Sequence, residues 1–471
     1  MNEGDMRQSP ERSGDFSIET RGIDPVPDAE RHGPAWRIFT VWFSANMIPP
    51  TFFIGTLAAA DYIQLGFISG LMAVILGNVI GASFVGLTAM MGPKTGMPQL
   101  ALGRLSFGRL NVVPAILNWA GMVAWTAVDT VFGAAALSIL TGFPFWIGAL
   151  AVIAITALIV MIGYEAILTF QKYMAFILSI VFVIVAFRIV SVGQFDRPDG
   201  FNGADRTGSF ILMTTIVASF ALSWCVFGSD YTRYLPRETS ERRVFALASG
   251  GLLVACAWLE ILGLAVAGLV SGSAVGTIYA DVLGGGVLGT VAMVAIFFGI
   301  VSVNVLNTYT GSLSLLTVGF RMPRSASALV VTSFAFVLAV WLNSSNFADT
   351  FANYLLLISY WIAPFAAVVL TDWWLRGRVA DVSKLLDIRE LQIGWPAVVS
   401  FALGICASIP FMSTTLFTGP VAAGVLHYGD IAYYVGFTVA AGVYASFRAM
   451  GSLSGQQMSV RRANTNAEVD K

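Results

Sequence analysis

Two residues one helical turn apart, Trp125 and Asp129, are the clearest candidates for binding chemistry in this 471-residue chain. They lie within a long apolar stretch, and a spacing of four places both side chains on one face of a helix. An aromatic ring beside a carboxyl can hold a flat ligand, because the ring stacks on the ligand while the carboxyl accepts from its N–H groups. A carboxyl shielded from water could instead carry a proton, or could simply bond to a neighbouring helix.

Polar residues interrupt two further apolar stretches. Glu260 has only apolar neighbours in sequence, so that both a structural role as a neutral acid and a role in ion coupling are open. Residues 299–312 place many hydroxyl and amide side chains in mid-span, where cavity water or neighbouring helices must satisfy them. Within this run, Ser302 and Asn304 would suit a small cation or a substrate amide, and packing between helices is the alternative.

Several kinds of active site are disfavoured by the sequence. Cys225, Cys256 and Cys406 are scattered through apolar stretches, which argues against a disulfide framework or a metal cluster. His32 and His427 lie outside the central parts of these stretches, so a histidine proton relay is not expected. No Walker phosphate loop appears in the chain, and no nucleophile–base pair appears in its apolar stretches. We therefore predict that the protein is not an enzyme, holds no cofactor and binds no nucleic-acid polymer.

Twelve long apolar stretches must position these residues. Each is near or above the roughly 20 residues that cross about 30 Å of hydrocarbon. The composition agrees, with 57% hydrophobic and 11% charged residues. We predict an all-α integral membrane protein with spans at 38–60, 66–91, 111–140, 144–162, 170–191, 209–229, 244–271, 286–316, 326–343, 351–375, 393–413 and 427–448.

The positive charges between the spans predict the orientation of the chain. If the N-terminus is cytoplasmic, all of the 26 Lys and Arg residues except Arg188, Arg197 and Arg206 fall on the cytoplasmic side. The positive-inside rule therefore predicts that both termini are cytoplasmic. We expect a multi-pass protein of the plasma (cytoplasmic) membrane that functions as a monomer within the lipid bilayer.

Spans 1 and 6 both carry features that interrupt a helix. Residues 44–50 read Ser-Ala-Asn-Met-Ile-Pro-Pro, and a double proline prevents a regular helix from continuing. Residues 218–224 of span 6 are rich in small and hydroxyl side chains without a proline, which is a weaker interruption. Breaks at corresponding positions are expected of two inverted repeats with a binding site between them. A kink without function is the alternative for span 1.

Six stretches along nearly the whole chain carry a resemblance to known proteins: 22–27, 42–46, 92–97, 104–108, 229–236 and 359–365. Together they resemble the nucleobase–cation symporters, a family of purine, cytosine, allantoin and hydantoin permeases. The resemblance implies a leucine-transporter-like fold, with five-plus-five inverted repeats and broken helices 1 and 6. It divides the chain into a cytoplasmic tail (1–36), helices 1–5 (37–191), helices 6–10 (209–375), helices 11–12 (393–448) and a second cytoplasmic tail (449–471).

The same resemblance assigns residues to a substrate site. The helix-3 aromatic that stacks on the base in relatives corresponds to Trp125, and the polar residue one turn on corresponds to Asp129. The remaining substrate-binding positions come from helices 1, 6 and 8, and correspond to Ile48, Phe220, Ser223, Trp224 and Asn304.

The family's sodium site is where this sequence departs from its relatives. That site uses backbone and hydroxyl oxygens of helices 1 and 8, at positions that correspond to Ser44, Met47, Gly299, Ser302 and Val303. Val303 has no side-chain oxygen, and hard cations need several oxygen ligands. The departure favours H⁺ over Na⁺ as the co-transported ion, with Asp129 or Glu260 as the proton carrier.

The sequence as a whole predicts a secondary active transporter that imports a nucleobase by cation symport and alternating access. A carboxyl at position 129 favours hydrogen-bond donors, which suggests an amino-bearing base such as cytosine or adenine. The alternatives are a carrier of a related heterocycle, of a cationic amine or of a vitamin (allantoin, hydantoin, thiamine), and an uncoupled facilitator. Helices 1, 2, 6 and 7 would rock against helices 3, 4, 8 and 9, while helices 5 and 10 act as gates.

Overall fold

The computed structural model describes residues 23–162, 164–270, 273–318 and 323–469, and long helices follow the predicted spans. Numbered by span, they are α1a (Arg37–Ala45), α1b (Pro49–Thr56), α2 (Phe67–Ala89), α3 (Val112–Thr141), α4 (Phe145–Ile162), α5 (Tyr164–Val192), α6 (Gly203–Ser223), α7 (Glu241–Ala265), α8 (Gly286–Val318), α9 (Arg324–Asn343), α10 (Phe347–Leu375), α11 (Trp395–Ser408) and α12 (Ala432–Val469). Short α-helical segments lie between them at Met91–Thr95, Gln99–Leu102, Arg104–Phe107, Ala274–Thr277 and Pro420–Gly424.

Eight helices of the described residues are long and apolar enough to cross a membrane, and a ninth span results if α1a and α1b count as one. The apolar helices Phe145–Met161 and Trp395–Phe411 are shorter. These findings confirm an all-helical, multi-pass membrane protein. Twelve complete spans stay a prediction.

The first span is divided where two prolines follow one another. Ile48 is extended (φ −139°, ψ 154°), and the chain bends by 62° between the helical segments on either side of the break. Proline suits the start of α1b, because its missing N–H would have no partner in the first helical turn. Side chains donate hydrogen bonds to backbone carbonyls beside the break. Thr51 Oγ1 donates to the carbonyl of Asn46, and Asn46 Nδ2 donates to the carbonyl of Trp42, each at 2.8 Å.

The sixth span differs from the first, because its helix continues through most of the predicted interruption. α6 runs to Ser223 and then tightens into a 3₁₀ turn at Trp224–Phe227. The whole stretch Gly203–Phe227 forms one candidate span without a sharp bend. Small and hydroxyl residues keep their backbone N–H groups, so the helix can continue where proline would end it. In the structure, the α-helix thus gives way to a 3₁₀ turn at the end of the run 218–224.

The long helices pack in two groups. In one group, α2 packs against α6 and α7, and α7 also packs against both halves of α1. In the other, α3, α4, α8 and α9 pack against one another, with α3 and α8 in contact along much of their length. α10, α11 and α12 pack together beside them. These groups contain the same helices as the predicted bundle and scaffold.

Glycines allow the closest backbone contact within the first group. A Cβ added to Gly55 of α1b would lie 1.8 Å from the carbonyl oxygen of Glu260, and one added to Gly263 of α7 would lie 1.9 Å from that of Phe52. Neither position has room for a side chain, so the two helices touch through their backbones. Such contact is a usual way for membrane helices to gain van der Waals energy.

Candidate substrate-binding site

A buried cavity lies where the break in α1 meets α3, α6 and α8, between the two helix groups. We call it the central cavity. It is lined by side chains from all four helices and from the 3₁₀ turn after α6, namely Ile48, Met122, Trp125, Asp129, Phe220, Ser223, Trp224, Phe227, Val303 and Asn307. The centre of a water molecule can occupy only about 10 Å³ of it. The cavity therefore has room for about one water. Its side chains must therefore move to admit a heterocycle.

Aromatic contacts fix the orientation of the Trp125 indole. Its ring centroid lies 5.6 Å from that of Phe220, 6.1 Å from Phe351 and 5.2 Å from Tyr354, all in edge-to-face geometry. The Tyr354 hydroxyl donates to the carbonyl of Gly121 at 2.8 Å and is fixed in turn. Edge-to-face pairs contribute about 0.5–1.5 kcal/mol each beyond the area they bury. The indole is held by rings of α6 and α10 at one side of the central cavity.

The polar part of the central cavity is the pair Asp129 and Asn307. Asp129 is 1% exposed, and its Oδ2 accepts a 2.8 Å hydrogen bond from Asn307 Nδ2. Oδ1 has no hydrogen-bond partner among the described residues. A buried carboxylate without a counter-charge is costly, so this group suits a neutral, protonated form or a ligand that donates to it.

The structure brings six of the seven predicted substrate residues to the central cavity: Ile48, Trp125, Asp129, Phe220, Ser223 and Trp224. Asn304 does not line it. Its Nδ2 instead donates to Thr130 Oγ1 of α3 at 2.9 Å. Neighbouring helix residues point about 100° apart, and on α8 the pair Val303 and Asn307, four residues apart, shares the face that reaches the cavity.

Three lining residues, Met122, Phe227 and Asn307, were not named from the sequence, and a fourth, Val303, was named only as a departure from the family's sodium site. Asn307 lies in the same polar run as Asn304, so the residue type gave no means of choosing between them. Met122 lies three residues before Trp125 on the same helical face, and this spacing could have identified it. Phe227 belongs to the 3₁₀ turn after α6, whose path the sequence pattern did not predict.

The predicted cation residues have varied surroundings. The carbonyl of Ser44 accepts the N–H of Met47 at 3.3 Å, while Ser302 is buried. Gly299 packs against α5, since a Cβ there would lie 2.4 Å from Leu178 Cδ1. Within the described residues, no group of three or more His, Cys, Asp or Glu side chains could hold a metal ion. A sodium ion would thus depend mainly on backbone carbonyls and the Ser302 hydroxyl.

Glu260 is fully buried but lies away from the central cavity. Its Oε2 accepts a hydrogen bond from Asn78 Nδ2, which joins α7 to α2. Both helices belong to the same packing group. The contact is therefore internal to that group and does not connect it to α3 or α8.

A multi-pass helical fold with a nearly closed polar site between two helix groups is typical of membrane transporters. Comparison with known proteins identifies the family. Residues 25–436 match the permeases for cytosine/purines, uracil, thiamine and allantoin, and the chain belongs to this family. Its members are transporters, so the protein is a permease and not an enzyme.

Individual relatives agree with this assignment. The chain is 29% identical to the purine-cytosine permease fcyB of Emericella nidulans over 457 residues, which cover 93% of this chain and 89% of that protein. It is 26% identical to the purine-cytosine permease FCY21 of Saccharomyces cerevisiae over 455 residues, which cover 91% and 86%.

A solved structure shows the same fold. Mhp1, a nucleobase-cation-symport-1 family transporter in a closed conformation with bromovinylhydantoin bound, superposes with a TM-score of 0.74 at 16% identity. The match covers 93% of this chain and 96% of Mhp1. At this identity the likeness concerns the fold alone.

Proposed function

We propose that the protein imports a nucleobase, in particular an amino-bearing base such as cytosine or adenine, by cation symport with alternating access. The observation that best supports this proposal is the position of Trp125 and Asp129 together in the central cavity, between the two helix groups. A flat base needs an aromatic face and a hydrogen-bonding edge, and these two residues provide both.

Four of the lining residues have specific roles in this proposal. The base stacks on the Trp125 indole, whose orientation is fixed by Phe220 and Tyr354. Its amino group donates to Asp129 Oδ1, the carboxyl oxygen that lacks a partner in the described structure. Asn307 holds the other carboxyl oxygen and presents an amide oxygen of its own. Uracil, with carbonyls where cytosine has an amino group, fits this edge less well.

Alternating access follows from the packing of the helices. We propose that the group of α1, α2, α6 and α7 rocks against the group of α3, α4, α8 and α9. The central cavity lies at the contact between them, so that a relative movement would expose it to each side in turn. In this proposal residues 37–191 and 209–375 are the inverted repeats, both termini are cytoplasmic, and the protein is a monomer of the plasma membrane.

Protons are the proposed coupling ion. Val303 lines the central cavity with a side chain that has no oxygen, while Asp129 is a buried acid at the same place. A proton on Asp129 Oδ2 would remove the cost of the buried charge and would travel with the substrate, while the unprotonated oxygen Oδ1 would still accept from the amino group of the base. Glu260, which lies inside one helix group, is proposed to be structural.

The test is uptake of labelled cytosine, adenine and hypoxanthine into proteoliposomes under separately imposed proton and sodium gradients. Accumulation of cytosine or adenine that is driven by the proton gradient alone supports the proposal. Accumulation that requires sodium overturns the coupling ion but keeps the substrate class. Equilibration without accumulation identifies a facilitator, and no uptake of any base overturns the substrate class.

A second candidate is a carrier of a cationic amine or vitamin. It is favoured by one observation: Asp129 lines the cavity without a basic partner among the described residues, and an ionised acid there would attract a cation. The family description includes thiamine. Uptake of labelled thiamine in the same vesicles, with cytosine as unlabelled competitor, distinguishes the two.

A further inference from the structure

A second and larger cavity lies on the side of the membrane that we propose is extracellular. It has a volume of about 490 Å³ and is bounded by α6, α10 and the linker between α11 and α12. We call it the outer cavity. Small-molecule sites usually have volumes of about 300–1,000 Å³, so it can hold a nucleobase with room to spare.

The outer and central cavities lie in series along α6. Ile216 lines the outer cavity and Phe220, one turn further along α6, lines the central cavity. On α10, Asn353 lines the outer cavity, while Phe351 packs against the Trp125 ring. On α6, Phe220 is therefore the lining residue of the central cavity that is nearest to the outer cavity.

The wall formed by the α11–α12 linker is held in place by specific contacts. Asp430 accepts hydrogen bonds from the Tyr360 hydroxyl of α10 and from the N–H of Ser413, at 2.6 Å for the latter. Its carbonyl accepts from Thr215 of α6. Gly208 allows the closest contact, because a Cβ there would lie 1.8 Å from the carbonyl oxygen of His427. The linker is therefore fixed to both helices of the cavity.

The lining of the outer cavity suits a neutral, flat and polar ligand. Phe201, Tyr62 and Tyr428 supply aromatic rings, and Ser209 supplies a hydroxyl. The hydroxyl of Tyr62 is buried and has no hydrogen-bond partner among the described residues. The acid and the imidazole in the lining, Asp205 and His427, are paired with each other at 2.9 Å. No unpaired charge is thus offered to a ligand by the lining residues.

We propose that the outer cavity is a second binding site for the transported neutral heterocycle, occupied before the central cavity. The proposal rests on the proposed function, since it takes the same substrate. It also gives the α11–α12 linker, which lies outside the two proposed repeats, a part in substrate capture. The outer site is the weaker one, because its wider space leaves a base in contact on fewer sides.

The experiment measures protection of a cysteine at position 209 by substrate. Ser209→Cys is introduced with Cys406→Ser, because Cys406 is exposed while Cys225 and Cys256 are buried. The full-length protein in proteoliposomes is labelled with a membrane-impermeant thiosulfonate reagent, with and without unlabelled cytosine. The matched control is Thr207→Cys, at an exposed residue of α6 that does not line the cavity. Both variants are repeated with Trp125→Ala, which weakens binding at the central site.

At saturating cytosine, we expect labelling at position 209 to slow by about tenfold, the factor 1 + [L]/Kd for ligand at roughly nine times its Kd. The slowing should persist with Trp125→Ala, and Thr207→Cys should show none. Protection that vanishes with Trp125→Ala would overturn the outer site, since it would report movement caused by the central site. Cytosine uptake by the parent without any protection would also overturn it. Absence of cytosine uptake by the parent would instead overturn the proposed substrate, and the outer-site proposal with it.

Discussion

Asn307 donates a 2.8 Å hydrogen bond from Nδ2 to Asp129 Oδ2, and this bond joins α8 to α3 at the wall of the central cavity. It keeps one carboxyl oxygen occupied while the other stays without a partner in the described structure. The pair therefore presents a fixed acceptor to a ligand.

Replacing Trp125 by Ala should weaken substrate binding by about 10- to 100-fold, because base stacking on an aromatic ring is worth about 1–3 kcal/mol. The measurement is the Kd for labelled cytosine in purified protein. The control is Trp119→Ala on the same helix, where the ring packs against Phe334 of α9 at 6.0 Å. A Trp125 variant that binds within about twofold of the parent would contradict stacking, since even a weak stack is worth more.

Asn307→Leu should weaken substrate binding by roughly 5- to 100-fold, because the base would lose the Asn307 amide oxygen and its donor would be buried unpaired, at a cost of about 1–3 kcal/mol. Asn304→Leu is the matched control on the same helix. It should lower thermal stability through loss of the bond to Thr130 while leaving cytosine affinity nearly unchanged. The reverse result, with affinity lost in the Asn304 variant and kept in the Asn307 variant, would show that the other face of α8 binds the base.

Asp129→Asn separates proton coupling from substrate recognition. If the substrate is neutral and Asp129 carries the proton, the variant should still exchange internal for external cytosine but should no longer accumulate it under a proton gradient. The measurements are counterflow and gradient-driven uptake in the same vesicles. Unchanged proton-driven accumulation would exclude Asp129 as the carrier. Loss of exchange in this variant, together with thiamine uptake by the parent, would favour the cationic ligand.

Glu260→Gln should retain proton-driven uptake, because a glutamine oxygen can still accept the hydrogen bond from Asn78. Glu260→Leu should lower the melting temperature, since the Asn78 amide would lose that partner. Uptake and thermal unfolding of both variants provide the measurement. A Gln variant that exchanges substrate but does not accumulate it would instead identify Glu260 as the proton carrier.

Gly263→Ala should destabilise the protein by about 1–3 kcal/mol, because the added methyl group has no space and α1b and α7 must separate. The control is Gly250→Ala on the same helix, where the nearest atom to the new Cβ would be a Phe39 ring carbon at 3.9 Å. Its melting temperature should not fall, since Ala is the better helix former. Equal melting temperatures for the two variants would show that the backbone contact at Gly263 is not close in the membrane.

The class of the protein and most of the residues that line its central cavity could be predicted from the sequence alone. Long apolar runs require helices, because a backbone in hydrocarbon must satisfy its own hydrogen bonds. The double proline required the break at Pro49, and a spacing of four placed Trp125 and Asp129 on one face. These are local consequences of backbone chemistry, and no knowledge of neighbouring helices is needed to draw them.

Only the tertiary structure decided which residues of different helices meet. Asn304 and Asn307 have the same side chain in the same polar run, and the rotation of α8 against α3 placed Asn307 beside Asp129 and Asn304 beside Thr130. The outer cavity likewise depends on the α11–α12 linker, which reaches α6 and α10 through Asp430. Helix rotation and loop path depend on packing between segments distant in sequence, and the pattern within one segment carries too little information to predict them.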